Sequence, residues 1–226
     1  MMSAGENLAK QYEARFSDRE QFRIAVWKIL VEDFFARLIP HDSALLDLGC
    51  GWGEFINHAS ARRKYGMDLN PDCSAHLDSA VEFLNQDCTN KWDLPDESLD
   101  MVFTSNFFEH LPSKESLDET LHQASRCLKA DGQIICLGPN IKFLGGQYWD
   151  FYDHYLPLTE MSLSEALQLN GFEVAQCIDR FLPYSMSTGR PMPLSTMLLK
   201  MYLRLPLAWR VFGKQFLVIG RKRRAD

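Results

Sequence analysis

Residues 45–55, LLDLGCGWGEF, run from an apolar segment through an aspartate into three glycines that alternate with other residues. Residues 44–48 have the composition of a buried strand, and the pattern over 54–61 predicts a helix. The glycines therefore lie in a strand-to-helix turn, the place where a parallel α/β sheet binds ligands. Because glycine has no Cβ, such a turn lets a ligand approach the backbone closely.

The rest of the chain repeats this alternation of short apolar runs and helical patterns. An amphipathic helix is predicted over 18–38, ended by Pro40. Further strands are predicted at 64–67, 100–104 and 133–137, and further helices at 72–79, 114–128 and 159–170. Strands that alternate with helices predict a doubly wound parallel sheet with helices on both faces.

Composition narrows the class of protein. The 226 residues are 46% hydrophobic and 24% charged, which is typical of one globular domain. The net charge of −6 argues against nucleic-acid binding. The six cysteines include no C-x-x-C pair, which favours reduced thiols in the cytoplasm over disulfides or a zinc site. With neither an apolar leader nor a long apolar run, we expect a protein that is not exported and does not span a membrane.

The glycine turn resembles the first motif of class I S-adenosylmethionine-dependent methyltransferases. It reads Gly49-x-Gly51-x-Gly53 and follows Asp47, whereas a dinucleotide-binding turn would have a third glycine where Glu54 stands. S-adenosylmethionine carries a sulfonium cation and no phosphate, so an acidic residue suits it better than anion-binding amides. On the turn alone, a ligand-free tight turn and a nicotinamide oxidoreductase of the same architecture remain open.

Two later carboxylates extend the cofactor site. Asp68, in YGMDLNP, ends the second strand about 20 residues on, where such folds grip both ribose hydroxyls. Asp87, in FLNQDC, is predicted to end a third strand, and the resemblance implies that it accepts a hydrogen bond from the adenine amino group. An ordinary loop aspartate is the alternative for Asp87. The complete set implied for the cofactor is Asp47, Gly49, Cys50, Gly51, Gly53, Asp68, Leu69, Asp87, Cys88 and Asn106.

The resemblance covers residues 44–180 in the family's order, including LDMVFTSNFFEHL and LKADGQIIC, which look like the fourth motif and the lead into strand five. It implies a Rossmann-like sheet of seven strands with the last strand antiparallel. We expect one methyltransferase domain over 1–226. Its parts are an N-terminal helical segment (1–40), a cofactor-binding core (41–181), a helical insertion (182–213), and a final strand with a basic tail (214–226).

The methyl acceptor is less determined than the cofactor. Methyltransferases of nucleic-acid bases and protein amides often carry N/D-P-P-Y/F after strand four, but residues 105–108 here are SNFF. A hydroxyl acceptor needs a general base or a metal. The candidates are Glu109 and His110, with His110 the leading base, and Asp150 and His154 in QYWDFYDHYLPLT. Hydrogen bonding at the strand end remains the alternative for Glu109 and His110. For the loop residues Trp149, Asp150, Asp153 and His154, packing or capping and a divalent-metal site remain alternatives. Their spacing is no strong metal signature, so no residue is assigned to a metal.

Weaker patterns bear on the substrate. SNFFEHL, YWDFYDHYLPLT, FLPY and GKQFLVIGRK together resemble a bacterial subgroup associated with polysaccharide and cell-surface glycan biosynthesis, which implies methylation of a sugar hydroxyl. A small-molecule acceptor such as a quinone, lipid or amine, or a cofactor-binding module without catalysis, remains open. The insertion 182–213 is a candidate lid or dimer interface, or only a cover for the core, and the apolar and basic residues 195–224 are a candidate peripheral contact with the inner membrane face. The sequence does not predict an oligomeric state.

Overall fold

The computed structural model describes residues 20–184 and 196–224. Seven strands form one sheet in the order β3-β2-β1-β4-β5-β7-β6. Strands β1 to β5 pair in parallel, and β7 runs antiparallel to both β5 and β6. The expected seven-stranded sheet with an antiparallel last strand is confirmed. The strands are β1 (Ala44–Leu48), β2 (Arg63–Met67), β3 (Val81–Leu84), β4 (Leu99–Ser105), β5 (Leu128–Pro139), β6 (Phe172–Ile178) and β7 (Gln215–Lys222).

Six α-helices and four short 3₁₀-helices lie in the described part of the chain. The α-helices are α1 (Glu20–Asp33), α2 (Lys114–Cys127), α3 (Ile141–Leu144), α4 (Glu160–Leu169), α5 (Thr196–Leu203) and α6 (Pro206–Phe212). The 3₁₀-helices are Phe35–Leu38, Pro71–His76, Phe108–His110 and Gly145–Asp150. The N-terminal helix and the helical insertion before the last strand are therefore present, although residues 1–19 and 185–195 lie outside the described residues.

The sheet is covered on both faces, as the doubly wound pattern predicts. Alternate residues of a strand point to opposite faces, and β1 is buried along its whole length. Leu46 packs in one core cluster together with Leu121 of α2. Leu45 packs in the other cluster with Phe34, just beyond α1. Asp47, two residues after Leu45, therefore faces the side of the sheet that α1 covers.

The N-terminal helix and the insertion meet on this same face. Lys200 of α5 forms an ion pair with Asp33 at the end of α1, with Nζ 3.1 Å from Oδ2. The Tyr202 hydroxyl donates to the Phe181 carbonyl, and the Trp209 indole N–H donates to the Tyr202 carbonyl at 2.8 Å. These contacts fix α5 and α6 against the core beside α1. Within residues 20–184 and 196–224, the structure has no helix that is both long and apolar enough to cross a membrane.

The predicted helix over 54–61 is wrong, because this segment forms turns. Helical hydrogen bonds begin, with the Asn57 amide donating to the Gly53 carbonyl and the Ala59 amide to the Phe55 carbonyl. The Ile56 carbonyl accepts a hydrogen bond from Lys64 Nζ at 3.2 Å. In a continuing helix the same carbonyl would accept from the backbone amide four residues on.

The region from β2 to β3 also differs from its prediction. The helix expected over 72–79 is a 3₁₀-helix, Pro71–His76, whose N-cap Asn70 accepts a hydrogen bond from the Asp72 amide at 3.1 Å. The third strand ends at Leu84, and Asp87 lies in a turn beyond it. Asp87 Oδ1 accepts from the Thr89 amide and hydroxyl at 2.9 and 2.8 Å, a local side-chain bond that competes with strand pairing.

Candidate active site

The glycine turn has a backbone that favours glycine. Gly49, Gly51 and Gly53 have φ values of 71°, 51° and 75°, in the left-handed region that side chains disfavour. A Cβ on Gly49 would lie 2.5 Å from the Phe107 ring. The Gly49 amide also donates to the Met67 carbonyl at 2.9 Å. The turn is thus packed against the end of β4 and hydrogen-bonded to the end of β2.

Asp68 joins the second strand to the glycine turn. Its side chain is only 6% exposed. Oδ2 accepts from the Gly51 amide at 3.0 Å, and Oδ1 accepts from the Asn70 amide at 2.9 Å. The carboxylate predicted to bind ribose therefore also holds the shape of the turn.

A pocket opens beside the turn on the side of the sheet that α1 covers. Five predicted cofactor residues line it: Asp47, Gly49, Cys50, Gly51 and Asn106. Six further residues that were not assigned from the sequence also line the pocket: Arg23, Trp27, Glu54, Phe55, Phe103 and Ser105. Arg23 forms an ion pair with Glu54 there. The pocket lining does not include the remaining predicted residues, which are Gly53, Asp68, Leu69, Asp87 and Cys88.

Two carboxyl groups line the pocket, Asp47 and the Arg23-paired Glu54. Asp47 is 3% exposed, and burial raises the pKa of its carboxyl group well above the ordinary value, with further increases from the charges of Glu54 and Asp68. A cation bound nearby would offset this cost of ionisation. Burial also raises the pKa of the Cys50 thiol, so Cys50 is a lining group and not a thiolate nucleophile.

The other predicted cofactor residues have varied surroundings. Leu69 is 53% exposed, whereas Cys88 is buried and accepts a hydrogen bond from the Thr120 hydroxyl at 3.3 Å. Burial raises the pKa of Cys88 to about 11. Asn106 has a φ of 49°, and its buried Oδ1 has no hydrogen-bond partner in the described part of the chain. An unsatisfied acceptor in the pocket wall is suited to a ligand N–H or O–H group.

Glu109, His110 and His154 come together at the carboxyl end of β4. The first two lie in the 3₁₀-helix Phe108–His110, and His154 comes from the loop after β5. Each offers one ligand atom, and these three atoms lie within 4.8 Å of one another. The Tyr155 amide donates to the Glu109 carbonyl at 2.8 Å, which fastens the loop to the strand end. The two predicted catalytic segments therefore form one cluster.

Both histidines are oriented through Nδ1. In His154, Nδ1 lies 2.9 Å from the Tyr148 carbonyl oxygen. In His110, Nδ1 lies 2.9 Å from the Asp153 carbonyl oxygen and 3.2 Å from Asp153 Oδ2. Because a carbonyl oxygen can only accept, Nδ1 carries the proton in each ring, and Nε2 of the neutral ring holds the lone pair.

The charges around His110 favour its protonated form. Burial lowers the pKa of His110, but the hydrogen bond to Asp153 and the charge of Glu109 outweigh burial and raise it above its ordinary value. Asp153 thus orients His110 and favours its protonated form. This role of Asp153 was not assigned from the sequence. Asp150 lies instead on the exposed end of the 3₁₀-helix Gly145–Asp150, outside the cluster.

Residues 19–177 match a family model described as "Methyltransferase domain", which spans more than half of the chain. The fold and the glycine turn define a class I methyltransferase architecture, and the chain belongs to this methyltransferase domain family. No curated protein matches the chain.

Solved methyltransferase structures share the fold. A chain from the complex between the Haloferax volcanii Trm112 methyltransferase activator and a methyltransferase has a TM-score of 0.71 at 18% identity, covering 99% of this chain and 100% of that one. A SAM-dependent methyltransferase from Archaeoglobus fulgidus has a TM-score of 0.62 at 23% identity, covering 86% and 94%. One from Thermotoga maritima has a TM-score of 0.64 at 19% identity, covering 94% and 99%.

Proposed function

We propose that the protein transfers the methyl group of S-adenosylmethionine to a hydroxyl group of a small molecule or glycan, in particular a sugar hydroxyl. Membership of the methyltransferase domain family supports methyl transfer. The observation that carries the choice of a hydroxyl is the cluster of Glu109, His110 and His154. A hydroxyl must lose a proton as it is methylated, and this cluster supplies proton acceptors, of which Glu109 and His110 follow the pocket-lining Asn106 closely in the chain.

The cofactor site follows from the acidic pocket and the glycine turn. S-adenosylmethionine is the cofactor, with its methionine part beside Asp47 and the glycines, where a cation offsets the buried carboxyl group. Asp68 takes the ribose hydroxyls, and Asp87 with Cys88 takes the adenine edge. Leu69, exposed between them, supplies an apolar contact. We regard residues 41–181 as the cofactor-binding core of one methyltransferase domain.

The reaction is an in-line displacement at the methyl carbon. The acceptor oxygen forms a bond to that carbon while the carbon–sulfur bond breaks, leaving neutral S-adenosylhomocysteine and releasing the hydroxyl proton. The protein aligns the two groups and excludes water. We assign activation of the hydroxyl to the cluster of Glu109, His110 and His154, with Asp153 orienting His110.

Exposed aromatic side chains next to the cluster support a sugar as acceptor. Trp149, Tyr152 and Tyr155 are 57%, 90% and 53% exposed. Aromatic faces with adjacent polar groups suit the apolar faces and hydroxyls of sugar rings. Asp150, exposed in the same loop, is a polar anchor for the acceptor in this proposal.

We further propose a cytoplasmic protein that contacts the inner membrane face through residues 195–224. All six cysteines are free thiols, as in a reducing compartment. Large apolar side chains are exposed on and between α5 and α6, together with Arg204 and Arg210: Met197, Leu198, Met201, Leu205, Leu207, Val211 and Phe212. The protein should sediment with anionic phospholipid vesicles at low salt. Absence from the vesicle pellet would rule this contact out.

The function is tested by methyl transfer from radiolabelled S-adenosylmethionine to a panel of sugars, glycans and small molecules. We expect methylation of a sugar hydroxyl by the unaltered protein and a loss of at least about 100-fold, within the usual range for acid–base groups, in His110→Ala. His122→Ala is the matched control, because His122 is exposed on α2. Both variants should retain S-adenosylhomocysteine binding. Product binding without methylation of any acceptor would favour a module without catalysis.

A further inference from the structure

We propose that Glu109, His110 and His154 bind a divalent transition-metal ion. Binding of the ion can be tested without any substrate, whereas its chemical use rests on the proposed methyl transfer to a hydroxyl. Residues 149–154 carry no strong metal-type spacing, so no metal ligand was assigned from the sequence, and Glu109 lies far from His154 in the chain. The fold brings them together between the end of β4 and the loop after β5.

The geometry of the cluster suits one ion. Glu109 and His154 are 4% and 6% exposed, and the His110 side chain is 29% exposed. The three ligand atoms lie within 4.8 Å of one another. Bonds of about 2.0–2.2 Å from zinc to nitrogen and oxygen place two ligand atoms at most roughly 4.4 Å apart. A small rotation of the side chains therefore closes the site around an ion.

The surroundings of the two histidines match those of metal ligands. Metal-binding histidines donate their second ring N–H to a carbonyl or carboxylate, which fixes the ring and its tautomer. Here Nδ1 of His154 is held by the Tyr148 carbonyl, and Nδ1 of His110 by the Asp153 carbonyl and carboxylate. The lone pair of each neutral ring is consequently on Nε2, the ring nitrogen through which it would bind an ion.

The ligand types select the class of ion. Two imidazole nitrogens with one carboxylate suit Zn²⁺, Mn²⁺, Fe²⁺ or Co²⁺, whereas Mg²⁺ and Ca²⁺ prefer oxygen ligands. Three protein ligands leave at least one coordination position for water or substrate, as in catalytic zinc sites. The His110 side chain is partly exposed, so the cluster is not closed off from an acceptor.

The ion would activate the acceptor. A hydroxyl oxygen bound to a divalent ion has a lowered pKa, so its proton passes to water before or during attack on the methyl carbon. The O–C bond then forms as the C–S bond breaks. The products are neutral S-adenosylhomocysteine, the methyl ether and the proton that has passed to water, so the charge balances. When the ion is bound, His110 serves as a ligand, and the ion takes over the activation of the hydroxyl that the proton acceptors of the cluster provide without it. The negative charges of Glu109 and Asp153 would stabilise the bound ion.

The test uses the full chain freed of metal by a chelator and titrated with Co²⁺, monitored by visible absorption, with Zn²⁺ as competitor. We expect one ion per chain, displaced by Zn²⁺. His154→Ala and the isosteric Glu109→Gln should abolish binding, and Asp153→Asn should weaken it about 10–100-fold as for other outer-shell partners. His122→Ala, on exposed α2, should bind normally.

Binding of S-adenosylhomocysteine, measured on every variant, separates loss of the metal site from loss of the fold. Unaltered protein that binds S-adenosylhomocysteine but no Co²⁺ or Zn²⁺ overturns the metal site and leaves methyl transfer standing. Co²⁺ binding that persists in both folded ligand variants overturns the assignment of the ligands. One bound ion in a protein that methylates no acceptor supports the metal site and counts against the proposed reaction.

Discussion

Replacing Asp68 by asparagine should weaken both the fold and cofactor binding. Its two oxygens accept from the Gly51 and Asn70 amides at 3.0 and 2.9 Å. Asparagine has one acceptor oxygen, so one amide loses its partner and faces an NH₂ group. The lost hydrogen bond to a charged group costs about 1.5–3 kcal/mol. At about 2–4 °C per kcal/mol for a domain of this size, Tm should fall by roughly 3–12 °C.

The same substitution removes the charge proposed to bind the ribose hydroxyls, so affinity for S-adenosylhomocysteine should fall more than about tenfold, or 1.4 kcal/mol. Thermal unfolding and calorimetric titration measure the two effects separately. Asp93→Asn is the matched control, because Asp93 is exposed and lies away from the turn. An Asp68→Asn protein with unchanged Tm and unchanged affinity would refute both roles of this carboxylate.

Further predictions concern the glycine turn and Asp47. Asp47→Asn should raise Tm at neutral pH and weaken S-adenosylmethionine binding at least about tenfold, because burial raises the pKa of Asp47 and ionisation therefore destabilises the unliganded fold above the ordinary pKa of 3.8. Because the sulfonium cation favours ionised Asp47, the affinity for S-adenosylmethionine should rise as pH increases through the raised pKa of Asp47. Binding below that pKa should release the Asp47 proton, which calorimetry in buffers of different ionisation enthalpy would detect. An Asp47→Asn protein with lowered Tm and undiminished affinity would contradict this. Gly49→Ala should destabilise the protein by about 1–3 kcal/mol in denaturant unfolding, because its Cβ would lie 2.5 Å from the Phe107 ring. Adding Phe107→Ala should recover the part of the lost stability that the clash causes, but not the part that the positive φ causes. If the effects of the two changes are simply additive, the predicted packing of Gly49 against Phe107 is contradicted.

Local patterns predicted the sheet because the burial of each strand is visible in the apolar residues of that strand itself. The run Ala44–Leu48 is buried on both faces, so it is apolar except for Asp47. The helix predicted over 54–61 was wrong, and the turns formed there contact a residue that lies outside the segment. Lys64, at the next strand, hydrogen-bonds the Ile56 carbonyl. A helix pattern does not reveal such a competing side chain.

The cofactor site was predictable in part. The glycine turn and Asp68 lie in short motifs, and the structure joins them through a hydrogen bond at 3.0 Å. Arg23 and Trp27 could not be assigned, because on sequence they are ordinary positions of an amphipathic helix and reach the pocket only when α1 packs. Glu54 served in the sequence analysis only to separate this turn from a dinucleotide-binding turn.

The catalytic cluster needed the tertiary structure. The sequence marks Glu109-His110 and the loop around His154 as two separate groups, and nothing local says that their ligand atoms lie within 4.8 Å. Asp150 and Asp153 are equally plausible in sequence. The fold leaves Asp150 exposed and sets Asp153 against His110.

Calorimetric titration of the purified protein with S-adenosylhomocysteine, in parallel with NAD and NADP, tests the central claim most directly. The glycine turn with Asp68, and the Asp47 carboxyl group that can pair with the ammonium group of the ligand, predict about micromolar binding of S-adenosylhomocysteine and no measurable binding of either nicotinamide cofactor. Binding of NAD or NADP without S-adenosylhomocysteine would contradict the assignment of the pocket to a methyl donor.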